Sequence, residues 1–207
     1  MTSRLDGALA QLAAGKVVAI ATESYFGLLA DIENPSAVEA LFDLKPRGAD
    51  KGVPIVLPAR TAWSALVAGE IPSLALAFAD ACWPGGLSIA LPAAARVASR
   101  VALDGSLAVR LPGSSPAAEL ARLFGRPLSA TSANLPGAPP NTHSAAVEAA
   151  FAEPIARAEL LVIAGESPGG APSTVVRVSE SDYAVARVGA VAPSLLEEIA
   201  KAHLRRA

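Results

Sequence analysis

The sequence predicts an α/β fold built on a mixed β-sheet flanked by helices. Three observations carry that reading. Short apolar runs alternate with helical patterns along the whole chain. Consecutive strand-like runs near each end call for antiparallel pairs beside crossover connections. A length of 207 residues, 52% of them apolar, supports one sizeable core.

The opening segment MTSRLDGALAQLAAG contains Asp6 and has a mixed face, so it reads as an amphipathic helix rather than a signal peptide. VVAIAT (17–22) and GLLADI (27–32) read as strands, with ESYF turning between them. NPSAVEALFDLK opens a helix, with Asn34 as its N-cap and Pro35 at the first helical position. VPIVLP (53–58) reads as a strand with proline at its edges, and 60–68 and 72–82 read as helices.

LSIALP and LAVRL, starting at 87 and 107, are further strands. SPAAELARLFG starts a helix at Ser115–Pro116 and stops it at Gly125. RPLSATS is a short strand entering a loop, and NLPGAPPN is Gly/Pro punctuation. HSAAVEAAF is a helix, and ELLVIAG, STVVRV and AVARVG are three strands. PSLLEEIAKAHLRR closes the chain as a helix with basic residues in its last turn, where the macrodipole favours them. The linker-like stretches 133–142 and 165–172 are short and there is no internal repeat, so one domain over 1–207 is expected.

Lys and Arg total 17 against 19 Asp and Glu, for a net charge of −2. A global basic footprint for nucleic acid is therefore excluded, while a local patch stays open. A single cysteine, Cys82, excludes an internal disulfide framework and a cysteine-based zinc site. No apolar run reaches the length of a membrane span, so a cytoplasmic location is expected. The phosphate loop G-x-x-x-x-G-K-[ST] and a G-x-G-x-x-G after a strand are both missing. His143 and His203 read as surface residues, and the carboxylates form no metal-ligand cluster.

Polar residues at strand ends are the remaining candidates. Thr22, Glu23 and Ser24 follow an apolar strand, either as a turn that bonds its own backbone or as a site. Lys45, Arg47 and Lys51 lie within seven residues, either as a solvated helix end or as a polyphosphate clamp. Lys45 still lies within the helical pattern, so it is the one of the three expected to act as a helix cap. Arg110 sits inside an apolar strand and needs an anion, either an internal carboxylate or a ligand. Ser129, Thr131, Ser132 and Asn134 form a hydroxyl and amide row suited to capping or to phosphate and ribose. Ser173 and Thr174 start a strand, Arg187 interrupts another, and Trp83 reads as a packing residue rather than a base-stacking one.

The order of these signals resembles that of the YrdC-like family, the threonylcarbamoyl-AMP synthases. ATESYFGL, KPRGADK, WPGGLS, AVRLP, TSANLPGAPP, PSTVV and RVG follow one another between about residues 10 and 190, as the family's motifs do. The resemblance implies a YrdC-like fold, a twisted mixed sheet with a concave ligand-binding face, in its short single-domain form. It implies a reaction that joins L-threonine, bicarbonate and ATP into threonylcarbamoyl-AMP and pyrophosphate. The product feeds N6-threonylcarbamoyladenosine modification of tRNA through separate tRNA-modifying proteins.

The resemblance also implies roles. Lys45, Arg47 and Lys51 would hold the ATP phosphates with Mg²⁺, and Ser132 and Asn134 would contact the nucleotide, as would Arg187. Thr22 and Ser24 would line the threonine site, Arg110 would clamp the threonine carboxylate, and Ser173 would touch threonine or its carbamoyl group. Ser106, on the ATP side, and Ala130, on the threonine side, would contribute through backbone groups. Ala21, Phe26, Gly48, Pro54, Pro136 and Val188 depart from the family pattern, and none of them removes a charged contact. Two competing readings are a module that binds tRNA weakly and a paralogue that binds nucleotide without synthase activity.

Overall fold

The computed structural model describes residues 5–45, 52–97, 100–180 and 182–205. In chain order, α1 (Asp6–Ala13) leads into β1 (Val17–Ala21) and β2 (Phe26–Leu29), then α2 (Pro35–Leu44) and the short β3 (Ile55–Val56). Next come α3 (Ser73–Cys82), β4 (Leu87–Pro92), β5 (Ser106–Arg110), α4 (Pro116–Phe124), β6 (Leu128–Ser129) and β7 (Thr131–Ser132). α5 (Ser144–Ala150), α6 (Ala152–Ala156), β8 (Leu160–Val162), β9 (Thr174–Val178), β10 (Tyr183–Arg187) and α7 (Pro193–Leu204) follow. No helix among the described residues is long and apolar enough to cross a membrane.

The expected mixed sheet is two mixed sheets. One has the order β7-β2-β1-β8 and the other β10-β9-β4-β5-β3-β6. In the first, β1 pairs antiparallel with β2 and parallel with β8. In the second, β4 pairs antiparallel with β5 and parallel with β9, which pairs antiparallel with β10. VVAIA is apolar at every position because both faces of β1 are covered. Val17, Ala19 and Ala21 face the main core with Phe26, Leu41 and Trp63. Val18 and Ile20 face a second core with Leu5, Leu12 and Leu120. In the larger sheet β9 alternates instead. Val176 and Val178 turn inward, and Arg177 is left outside. That outward face becomes part of the site.

Helix ends follow the sequence closely. Asn34 caps α2 by accepting from Ser36 and Ala37, and Pro35 occupies its first turn. Ser115 caps α4 by accepting from the Ala118 N–H, and Gly125 ends it in the left-handed conformation that glycine adopts without a Cβ clash. Residues 60–68 differ from the expected helix: they form two 3₁₀ turns, Arg60–Ala62 and Ser64–Leu66. The three-residue repeat turns both Trp63 and Leu66 into the core. Trp83 packs as expected, with its ring 4.6 Å from that of Trp63 and its indole N–H donating to Leu87 O.

RPLSATS is not one strand. Leu128–Ser129 belongs to the larger sheet and Thr131–Ser132 to the smaller, with the chain crossing at Ala130. The buried Ser129 hydroxyl holds the crossing by accepting from the Ala30 N–H at 2.8 Å and donating to Leu28 O at 3.2 Å. Ser129→Ala would strand that amide in the core. We expect it to lower unfolding free energy by about 2 kcal/mol, read as a reduced urea midpoint at constant m-value.

Candidate functional site

Five segments converge on a cavity of about 330 Å³. They are the β1–β2 turn, the end of β5, the crossing at Ala130 with β7, the stretch around Pro172 and Ser173, and Arg187 at the end of β10. Thr22, Ser24, Arg110, Ala130, Ser132, Ser173 and Arg187, all expected at the site, line this one space.

The turn is held from within and from outside. The Thr22 hydroxyl donates to Tyr25 O at 2.7 Å and accepts from the Ser24 N–H at 3.2 Å. Thr22 is thus a turn-former that also forms a wall. Outside, Gly169 N–H donates to Ser24 O, and the Tyr25 hydroxyl donates to Gly170 O at 2.6 Å. The 165–172 stretch is therefore strapped across the turn.

Arg110 is 9% exposed, and its partner in the structure is an internal carboxylate. Its Nη1 and Nη2 donate to Glu23 Oε1 and Oε2 at 2.5 and 3.1 Å. Gly113 N–H donates to the same Oε1 at 2.7 Å. The bidentate pair fixes the guanidinium plane on the cavity wall. Arg187 stands on the other side of Ser173: its Nε and Nη2 donate to Ser173 O at 3.1 and 2.8 Å, and Nη2 also reaches Ser173 Oγ. The Ser88 hydroxyl donates to that same Oγ. Partial burial, and then the nearby charge of Arg110, pull Arg187 below the usual guanidinium range. Two guanidiniums that feel one another, only one of them paired with a carboxylate among the described residues, leave an excess of positive charge. That environment favours a bound anion.

Lys45 is the C-cap of α2, as expected, and its backbone N–H donates to Leu41 O. Its Nζ also donates to Ser132 O, to Ser132 Oγ at 3.1 Å and to Asn134 Oδ1 at 2.9 Å. Asn134 Nδ2 in turn donates to Leu135 O and Ala138 O. Lys45 and Asn134 thus brace the TSAN loop behind Ser132. A buried ammonium needs acceptors, and this loop supplies them. Arg47 and Lys51 lie outside the described residues.

Ser106 lies apart from the first cavity. It lines a second one of about 420 Å³ on the outward face of the larger sheet. Arg187 and Pro54 line both cavities, which are therefore contiguous. The backbone N–H of Ser106 is given to Leu103 O and that of Ala130 to Pro54 O, so neither donor faces a ligand. The Ser106 carbonyl also accepts from the Leu103 N–H, so the Ser106 hydroxyl and the Ala130 carbonyl are the groups left for the roles expected of them.

Glu23 and Thr131 were candidates from the sequence without an assigned role, and sequence reasoning missed Tyr25, Pro54, Pro140 and Pro172 in the lining. The signal for Glu23 was the demand of a buried arginine for a carboxylate. Nothing in the pattern could say that a residue 87 positions away answers it. Among the described residues no group of three or more His, Cys, Asp or Glu could hold a metal ion.

The profile of the Sua5/YciO/YrdC family, described as "Telomere recombination", matches residues 10–189. A threonylcarbamoyl-AMP synthase of Pyrococcus abyssi is 35% identical over 189 residues, 90% of this chain and 53% of the relative. A protein of the same name from Xanthomonas campestris is 38% identical over 180 residues, 85% of this chain and 93% of the relative. The chain thus spans about half the length of the first and nearly all of the second. The crystal structure of P. abyssi Sua5 complexed with L-threonine superposes with a TM-score of 0.84 at 31% identity, over 95% of this chain and 56% of that one. E. coli YciO superposes at 0.78 with 19% identity over 93% of each chain, which speaks for the fold alone. With a family profile covering most of its length and relatives above 30% identity, the chain belongs to the Sua5/YciO/YrdC family.

Proposed function

We propose that this chain is a threonylcarbamoyl-AMP synthase, forming threonylcarbamoyl-AMP and pyrophosphate from L-threonine, bicarbonate and ATP. The observation that carries the proposal is the gathering of Arg110–Glu23, Arg187–Ser173 and Lys45–Ser132–Asn134 around two contiguous cavities. The wall they share would be the concave ligand-binding face expected of the family.

Arg110, already oriented by Glu23, presents its remaining donor capacity to the threonine carboxylate. Thr22, Ser24 and Ala130 close that end, and Ser173 meets the carbamoyl group. The amine and bicarbonate condense to a carbamate with loss of water. A carbamate oxygen then attacks the α-phosphorus, the bond to the bridging oxygen breaks, and its electron pair leaves on pyrophosphate. No protein nucleophile is required. Holding the two anions in line, with cations aimed at the charge that develops, supplies the catalysis. Arg187 and Ser132 border the path of the phosphates, Lys45 and Asn134 hold Ser132 in place, and the second cavity with Ser106 receives the base. Arg47 and Lys51 are proposed for the outer phosphates. Magnesium enters this scheme with ATP, as part of the triphosphate substrate. The adenylate would pass to tRNA-modifying proteins.

Calorimetry separates this reading from that of a nucleotide-binding paralogue. A synthase binds both L-threonine and ATP, each saturably. ATP binding with no detectable heat from threonine would leave the paralogue standing.

A further inference from the structure

The second cavity has donors and no carboxylate among its lining residues. Its floor is small: Ala90 pairs with Ala108 on one side and with Arg177 on the other, and Val175 and Ala186 lie alongside. Such a floor leaves a shallow apolar slot for a planar ring. Its two ends are cationic. An irregularity between Val185 and Arg187 shifts the register so that Arg187 sits opposite Val175, at the end shared with the first cavity. Arg177 lies two residues farther along β9, roughly 7 Å at the rise of a strand. Ser106 is at that same far end, two residues before Ala108. Arg177 is exposed, and its side chain has no hydrogen-bond or ion-pair partner among the described residues.

We propose that Arg177 is a specificity-determining residue that reads the acceptor edge of the nucleobase, so that this chain takes 6-oxopurine nucleotides alongside adenine nucleotides. The inference rests on the reading of this cavity as the nucleotide's base site. A base entering past Arg187 turns its distal edge toward Arg177. Guanine and hypoxanthine offer O6 and N7 there, which match the guanidinium fork. Adenine offers N7 beside a 6-amino donor, and two donors facing each other gain nothing.

The test is calorimetric titration of ATP, GTP, ITP and 7-deaza-GTP into the wild-type chain, Arg177→Ala and Arg177→Lys, without threonine. Arg177 is exposed, so neither variant disturbs the core. GTP and ITP should bind the wild type within about tenfold of ATP, and Arg177→Ala should weaken both by about tenfold or more while moving ATP by about threefold at most. Arg177→Lys should not restore them, and 7-deaza-GTP should lose most of the difference between wild type and variant. Equal weakening of ATP and GTP that Arg177→Lys repairs would overturn the proposal, because it would assign Arg177 to phosphate or to bulk charge. No change for any nucleotide would overturn it as well. A wild-type chain that binds none of the four would sink the reading of the cavity itself, which is a separate result from a bound nucleotide indifferent to Arg177.

Discussion

Arg110→Ala should raise the threonine concentration needed for half-saturation by roughly 100-fold, while ATP affinity changes by about threefold or less. Arg110 is buried and lines the same cavity as Thr22, Ser24 and Ala130. Its truncation removes the guanidinium proposed to clamp the threonine carboxylate, whereas Arg187 and Ser132, proposed for the nucleotide, stay in place. A second effect is expected on stability. Without Arg110, the Glu23 carboxylate, 26% exposed on its side chain, keeps only the Gly113 N–H among the described residues. Removing one partner of a fully buried pair costs several kcal/mol. Partial exposure discounts that to about 2 kcal/mol here. Arg110→Ala combined with Glu23→Gln should recover part of the lost stability and none of the threonine binding. Equal loss of threonine and ATP binding in the single variant would make Arg110 a structural residue instead.

Lys45→Ala should have the second large effect, with the opposite selectivity. Three acceptors on Ser132 and Asn134 would lose their shared cation. Hydrogen bonds to a charged group are worth about 1.5–3 kcal/mol each and do not simply add, so a loss of about 3 kcal/mol in stability is expected. In the proposed reaction the TSAN loop borders the nucleotide, so ATP affinity should fall by roughly 100-fold and threonine affinity by much less. Calorimetry on both ligands together with a urea melt measures all three quantities. A stability loss with ATP binding intact would reduce Lys45 to a tether.

These two residues show what could be read from the sequence and what could not. Local chemistry was legible. Asn34 with Pro35, Ser115 with Pro116, and Gly125 each mark a helix end by groups that act within four residues, and the structure has all three. Seven of the cavity residues were legible through the order of motifs: Thr22, Ser24, Arg110, Ala130, Ser132, Ser173 and Arg187. Partnerships were not. The charge of Lys45 next to a helix end suggests a cap, yet its flexible stem reaches acceptors 87 and 89 residues away. The apolar run VVAIA announces a strand buried on both faces but not which of two sheets it joins. RPLSATS contains two strands of two residues each, too short to show a period, and its switch between sheets depends on a serine bond to a strand 99 residues back. Trp63 and Leu66 have helical spacing on paper, and the tighter 3₁₀ repeat buries both.

The most direct measurement is pyrophosphate release with each substrate omitted in turn. A threonylcarbamoyl-AMP synthase should release pyrophosphate from ATP only when L-threonine and bicarbonate are both present, and omission of any one should return the rate to background. Release at the same rate without threonine would contradict the proposed reaction, because the attacking carbamate could not then have come from the amino acid that Arg110 is placed to hold.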